Sequence, residues 1–143
     1  MRRELPGGYY LDDDPARIDV DFIHAYLSGE SYWAKGRDLA TTETTVREST
    51  RVIGLYRGGQ QVGYARVVSD NSTFAYLADV FIAEAHRGHG LGVELVREAV
   101  ETDPWRRCRW LLGTVDAQSM YEKFGFGPAS ERIMERPATR EQL

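Results

Sequence analysis

The spacing of apolar residues changes period several times along this chain, and each change marks an element. Tyr9, Tyr10 and Leu11 give a short strand-like run over residues 8–11, set between Gly7-Gly8 and the acidic turn Asp12-Asp13-Asp14-Pro15. That turn lacks the spacing of a calcium loop and reads as solvated. Phe22, Ile23, Tyr26 and Leu27 recur one turn apart, which predicts a helix over residues 19–27 closed by Ser28-Gly29, and a second helix is expected over 41–49. Residues 51–57 and 61–68 are rich in Val, Ile, Leu and Tyr and flank Gly58-Gly59, a hairpin signal. After the polar break at 69–72, a strand over 73–82 extends the meander to three. Alternation puts Leu77, Asp79 and Phe81 on one face of it and Tyr76, Ala78, Val80 and Ile82 on the other. A carboxylate therefore stands between two large apolar side chains, and it must be solvated by a cleft, paired with a cation such as Arg66, or recruited for chemistry.

Further along, Leu91, Leu95, Val96, Ala99 and Val100 form one helical face, while Glu94, Arg97, Glu98 and Glu101 form the other; Asp103-Pro104 stops the helix. Residues 110–115 read as a buried strand. Strand, turn, helix and strand make a right-handed βαβ crossover, so this strand should run parallel to the one at 73–82. Asp116 suits the N-cap of a helix over 117–124 with an apolar face of Ala117, Met120, Tyr121 and Phe124, and Gly125 is a natural left-handed stop. Ile133-Met134 is a candidate last strand, and residues 136–143 look like a frayed tail.

With 143 residues, 42% of them apolar, the chain suits a single domain over 1–143. A formal charge of −4 argues against a general nucleic-acid binder, since no basic stripe is available for a phosphate backbone. The start, Met1-Arg2-Arg3-Glu4-Leu5-Pro6, lacks an apolar signal region, and no run approaches the ~20 apolar residues of a membrane span, so a cytoplasmic protein with no membrane partner is expected. Cys108 is the only cysteine, which precludes an internal disulfide, and it reads as a small residue entering a strand.

The chemistry concentrates in Arg87-Gly88-His89-Gly90-Leu91-Gly92, between a strand and a helix with almost no spacer. A helix start carries unpaired N–H donors and the positive end of the macrodipole, and glycines let an anion approach them. Val93-Glu94 after Gly92 is wrong for a P-loop, which needs Lys-Ser/Thr there, and neither glycine register leaves a small residue where the dinucleotide fingerprint requires one. What remains is R-x-x-G-x-G, on Arg87, Gly90 and Gly92. Together with the run from Asp116 to Phe126, which follows N/D-A-x-x-x-Y-x-K-x-G-F, this resembles the GNAT superfamily of acetyl-CoA-dependent N-acetyltransferases. The match covers residues 79–126.

The resemblance implies an α/β (α+β) fold: a central mixed sheet with an antiparallel N-terminal meander, a βαβ crossover and helices on both faces. It implies acetyl-CoA as co-substrate, its pantetheine arm on backbone groups of Phe81 and Ile82, and its pyrophosphate on Arg87, Gly88, His89, Gly90, Leu91 and Gly92. Tyr121 would lie near the thioester sulfur; Asp116, where many members have Asn, can cap a helix but cannot donate an amide N–H to the cofactor. The implied reaction is transfer of an acetyl group to a primary amine of a small molecule or peptide by direct attack, with Tyr121 as general acid and Asp79 or Glu84 as base candidates. Tyr32 and Trp33, between the first two helices, become acceptor contacts with Asp79. His86 and His89 have the spacing of a metal pair without further ligands, so no metal is expected. A homodimer is compatible with this reading. The alternative is a non-catalytic acyl-CoA sensor or interaction module on the same fold.

Overall fold

Strand-forming runs and their turns place six strands in one sheet, in the order β1-β2-β3-β4-β5-β6. They are β1 (Arg2–Glu4), β2 (Tyr9–Asp12), β3 (Arg51–Arg57), β4 (Gln60–Ser69), β5 (Phe74–Ile82) and β6 (Arg109–Leu111). The first five pair antiparallel and β6 joins β5 in parallel, so the sheet is mixed as expected. This computed structural model describes residues 1–139 and divides into two compact units, Met1–Gly113 and a second that begins at Thr114. Each is described by itself.

In the first unit, Gly58 and Gly59 both take positive φ, 58° and 82°, and close the β3–β4 hairpin as the sequence suggests. Two helices precede that hairpin: α1 (Val20–Gly29), capped by Asp19, and α2 (Leu39–Glu48), capped by Asp38. Ile23, Tyr26 and Leu27 of α1 share a core with Val52, Tyr64 and Phe81 of the sheet. A third helix, α3 (Leu91–Val100), packs on β3, β4 and β5. The register shows that it takes the opposite face. Arg3, Leu11, Leu55, Gly63 and Ile82 are successive cross-strand partners, and Arg3 from that row bonds Glu94 and Glu98 of α3.

The extra strand β1 was not legible as one, because Arg2-Arg3-Glu4 has no apolar alternation. Its charges suit an edge, and Arg3 binds two acids of α3. The helix read as polar along Glu94, Arg97, Glu98 and Glu101 also buries one of those acids. Glu98 is 8% exposed, with Arg51 Nη2 donating to it at 2.9 Å and Arg3 Nε at 2.9 Å. The acidic turn is likewise partly enclosed: Asp12 is buried against Arg17, and Asp13 accepts from Arg51.

The third strand differs most from simple alternation. Arg66 pairs with Ala78 but Tyr64 pairs with Phe81, so Asp79 and Val80 together oppose Ala65, and Asp79 sits in the left-handed region with φ 53°. This bulge changes the phase of the strand. Leu77, opposite Val67, faces α3, while Phe81, opposite Tyr64, faces α1; the two do not share a face.

β6 is short and half-exposed rather than a buried strand over 110–115, because it meets only Phe74, Ala75 and Tyr76 of β5. From Leu77 onward the outer edge of β5 has no strand beside it among the described residues.

In the second unit, α4 (Gln118–Glu122) is shorter than the helix expected over 117–124. Asp116 does not cap it. The cap position is Ala117, so no side chain caps the helix, and the Ala117 N–H donates to Thr114 Oγ1 at 3.1 Å in the turn before it. Gly125 is left-handed at φ 86°, as its position after the helix demands. Ile133 and Met134 form no strand, and Met134 is almost wholly exposed. Of the expected tail, residues 136–139 have no regular structure and the last four positions lie outside the described residues.

Candidate active site

At the C-terminal end of β5 the chain makes a short 3-10 turn, Glu84–His86, and enters α3 through the glycines. Gly88 and Gly90 have φ 86° and 73°, conformations that glycine adopts at little cost and residues with a Cβ adopt only with strain. Gly90 is the N-cap of α3 and lends no side chain to its amides. The first amide past Arg87 that donates to backbone is that of Glu94, to Gly90 O at 3.3 Å. The N–H groups from Gly88 to Val93 therefore form a run of donors at the positive end of a ten-residue helix. A Cβ built at Gly88 or Gly90 meets nothing within 4 Å, so the outer side of the turn is open.

Arg87, which the resemblance assigns to the pyrophosphate, is exposed and tied to the fold at two points. Its Nε donates to Ile82 O at 2.9 Å and its Nη2 to Tyr26 Oη at 2.7 Å, so the guanidinium braces the turn against β5 and α1. Tyr26 in turn stacks on Phe81 with ring centroids 3.9 Å apart and planes 4° from parallel. His89 is exposed, its ring 6.5 Å from that of Tyr9, and His86 Nδ1 lies 2.8 Å from Tyr9 Oη. Among the described residues no group of three His, Cys, Asp or Glu is gathered in a way that could hold a metal.

The bulge of β5 carries the second part of the site. Asp79 is 5% exposed and receives three hydrogen bonds: Trp33 Nε1 at 2.8 Å on Oδ1, and Arg37 Nη1 at 2.8 Å and Arg66 Nε at 2.7 Å on Oδ2. Burial alone would push its carboxyl up. Attraction to Arg66 and Arg37, with the hydrogen bonds from Arg66 and Trp33, outweighs burial and holds the pKa below the ordinary carboxylate range. A carboxylate held so is a poor proton acceptor near neutrality. Of the three fates open to Asp79 in the sequence, the structure displays pairing, with Arg37 and Trp33 added to Arg66.

The connection from α1 to α2 is folded tightly enough to fix these partners. Ser31 Oγ donates to Leu27 O at 2.6 Å and accepts from Ala34 N at 3.0 Å; Gly36 N donates to Ser28 O at 2.9 Å and Arg37 N to Ala34 O at 3.0 Å. His24, a flanking residue of the α1 stripe, adds a contact of 3.1 Å from Nε2 to Arg37 O. Tyr32 packs edge-on against Trp33 at 5.1 Å, and the two remain 49% and 36% exposed. Trp33 is thus joined to Tyr32 by a ring contact and to Asp79 by a hydrogen bond. A cavity of ≈ 580 Å³ bordered by Pro15, Val20, Val46, Val52 and Trp105 includes none of these side chains.

Arg37 and Tyr26 were not singled out from the sequence. Arg37 reaches Asp79 across 42 positions, and no local pattern reports such a pairing. Tyr26 looked like one more residue of an apolar stripe, and only its hydroxyl distinguishes it. In the second unit, Tyr121 is buried, at 9% exposure, with its ring edge-on to Phe126 at 5.9 Å; Asp116 is exposed.

Residues 48–128 match an acetyltransferase (GNAT) domain. A curated protein of Gibberella zeae, named a candidate acetyltransferase, is 32% identical, with 82% of this chain and 77% of that protein covered. A solved structure from Xanthomonas campestris, assigned as a candidate acetyltransferase of the GNAT family, is 36% identical with a TM-score of 0.86, covering 94% of this chain and 96% of its own. Glucosamine-6-phosphate N-acetyltransferase from Arabidopsis thaliana superposes with a TM-score of 0.63 over 90% of this chain and 97% of its own; at 15% identity that likeness concerns the fold alone.

Proposed function

The chain belongs to the GNAT acetyltransferases, and from that premise we propose that it moves an acetyl group from acetyl-CoA to a primary amine of a small molecule or peptide, by direct attack within a ternary complex. The observation that carries this reading is the juxtaposition at the end of β5, where, among the described residues, the amides from Gly88 to Val93 are uncommitted and the β5 edge has no strand neighbour after Tyr76. The turn suits a pyrophosphate, with Leu91 and Gly92 in the first helical turn, and the open edge at Phe81 and Ile82 suits an arm that bonds as a strand would. The family match crosses Gly113–Thr114, which supports reading the two units as one acetyltransferase domain.

Bound acetyl-CoA supplies an activated acyl group as a thioester. The acceptor amine, in its neutral form, attacks the carbonyl carbon; an N–C bond forms, the C–S bond breaks with its electron pair on sulfur, and the amine nitrogen sheds a proton. Tyr121 gives its phenolic proton to the departing sulfur and is reprotonated from solvent. A phenol with a reference pKa of about 10 is matched to that task. Asp79 serves as a positioning group that holds Arg37, Arg66 and Trp33, and the amine's proton passes to water or to the exposed Glu84. No base with a raised pKa is needed if amine and thioester are well aligned.

Incubation with acetyl-CoA and a panel of amines, read as free thiol released and acetylated amine by mass spectrometry, tests the proposal. Acetylated product formed in step with thiol is the expected result. Thiol release with no acetylated amine in any reaction, or no coenzyme A binding, overturns it.

A further inference from the structure

Asp79 does not exhaust the arginines that clasp it. Arg37 commits one Nη and Arg66 its Nε to the same oxygen, and Arg66 Nη1 makes a long contact of 3.5 Å with Ser49 Oγ. The remaining N–H groups of both guanidiniums have no partner among the described residues. The two side chains keep 20% and 15% of their surface open while Asp79 keeps 2%, so the unspent donors, not the carboxylate, meet solvent. The exposed rings of Tyr32 and Trp33 border the same spot through the bond from Trp33 to Asp79. Beneath it, Tyr64 Oη is buried without a partner, within the electrostatic reach of Arg66, Asp79 and Arg37. Asp38, the nearest acid in sequence, is occupied in capping α2 through Thr41 N at 2.8 Å.

We propose that the amine accepted by this enzyme also carries a carboxylate, which Arg37 and Arg66 bind while Tyr32 and Trp33 cover its apolar part. This rests on the acetyl-transfer reading and names its substrate class. Two guanidiniums against one carboxylate leave one positive charge in excess at a half-enclosed place, where a second anion is attracted far more strongly than in bulk water. Guanidinium forks also match a carboxylate in geometry, with two parallel bonds. The same excess charge disfavours an ammonium nearby and so favours the neutral amine that must attack. A purely structural clasp would be closed, as at Arg51, where all three guanidinium nitrogens donate within the fold and 5% of the side chain is open.

The test uses three probes that share a phenyl ring: phenylalanine, 3-phenylpropionate and phenethylamine, titrated calorimetrically into the full chain. The two carboxylates should bind about tenfold or more tightly than phenethylamine, the scale of one charge-assisted bond. Arg37→Gln should remove most of that preference, and Asp79→Asn, which deletes the competing anion, should enlarge it. If Arg37→Gln does not fold, Arg66→Lys, which keeps the charge and loses the planar fork, should narrow the preference instead. Phenethylamine binding as well as or better than the carboxylates overturns the inference, as does absence of binding by all three, or a preference untouched in the arginine variants. Coenzyme A titrated into the same samples separates the premises: coenzyme A bound without a carboxylate preference sinks this inference alone, whereas a preference without coenzyme A binding sinks the acetyl-transfer reading.

Discussion

Two buried carboxylates in the first unit are each held by two arginines, and they differ in everything else. Glu98 lies on the α3 face between Arg51 and Arg3, in a network that Asp13, Glu94, Arg97 and the N-terminal ammonium extend, so that each charge there meets an opposite one. Thr102 Oγ1 donates to it as well, at 2.8 Å. Asp79 lies on the other face at a bulge, with arginines in excess and their spare N–H groups turned to solvent. On the proposed reading, closure assigns the first to the framework and surplus charge assigns the second to the site. A buried ion pair by itself says little about function; what counts is which groups around it remain unsatisfied.

The largest effect expected from this contrast is on stability. Glu98→Ala leaves Arg51 buried without its main counter-charge, and should cost about 3 kcal/mol in urea unfolding, with turnover per folded molecule unchanged. A neutral outcome would erase the distinction drawn for this cluster. Next comes Tyr121→Phe: on the proposed mechanism the phenol protonates the departing thiolate, so its loss should lower kcat on the order of 10²-fold where chemistry limits, with coenzyme A affinity kept. Wild-type kcat would return Tyr121 to the role of a packing residue. Asp79→Asn should be milder, costing about tenfold or less in kcat, because positioning rather than proton abstraction is lost; a loss of about 10³-fold or more would restore it as the base. The smallest effect is the acid response. Asp79 and Glu98 both have folded pKa values below their unfolded ones, so their contribution is complete above the unfolded carboxylate range of about 4 and disappears as pH falls through the lowered folded values. Melting temperature should hold from neutrality to about pH 5 and fall below it, and Asp79→Asn should flatten part of that fall.

Local patterns carried most of the fold. The Gly58-Gly59 hairpin, the helical stripe of Ile23, Tyr26 and Leu27, and the parallel return of β6 follow from period and turn chemistry, which act over a few residues. The glycine turn was equally plain because its requirement is on backbone conformation. The bulge was invisible, since strict alternation placed Leu77 and Phe81 on one face and nothing in the residues 78–80 announces an inserted position. Missing the bulge hid the site's electrostatics as well. Asp79 owes its partners to a helix connection more than forty positions away and to a cross-strand arginine, and such pairings depend on register and packing rather than on neighbours in sequence. At Asp116 the pattern misled for a local reason: the helix starts one residue later than the aspartate's capping position requires, with Ala117 at the cap and its amide turned to Thr114.

The central claim is that the turn from Gly88 to Gly92 binds the pyrophosphate of acetyl-CoA through its backbone. Calorimetric titration of coenzyme A into the wild-type protein and into Gly90→Val, with melting curves on both, addresses it most directly. A β-branched residue at a φ of 73° should strain the turn by about 1–2 kcal/mol and crowd the open side of the amides, so the variant should remain folded with a modestly lower melting temperature. Its affinity for coenzyme A should fall by about a hundredfold or more, the scale of losing two charge-assisted hydrogen bonds. Equal affinity in the two folded proteins would contradict the claim.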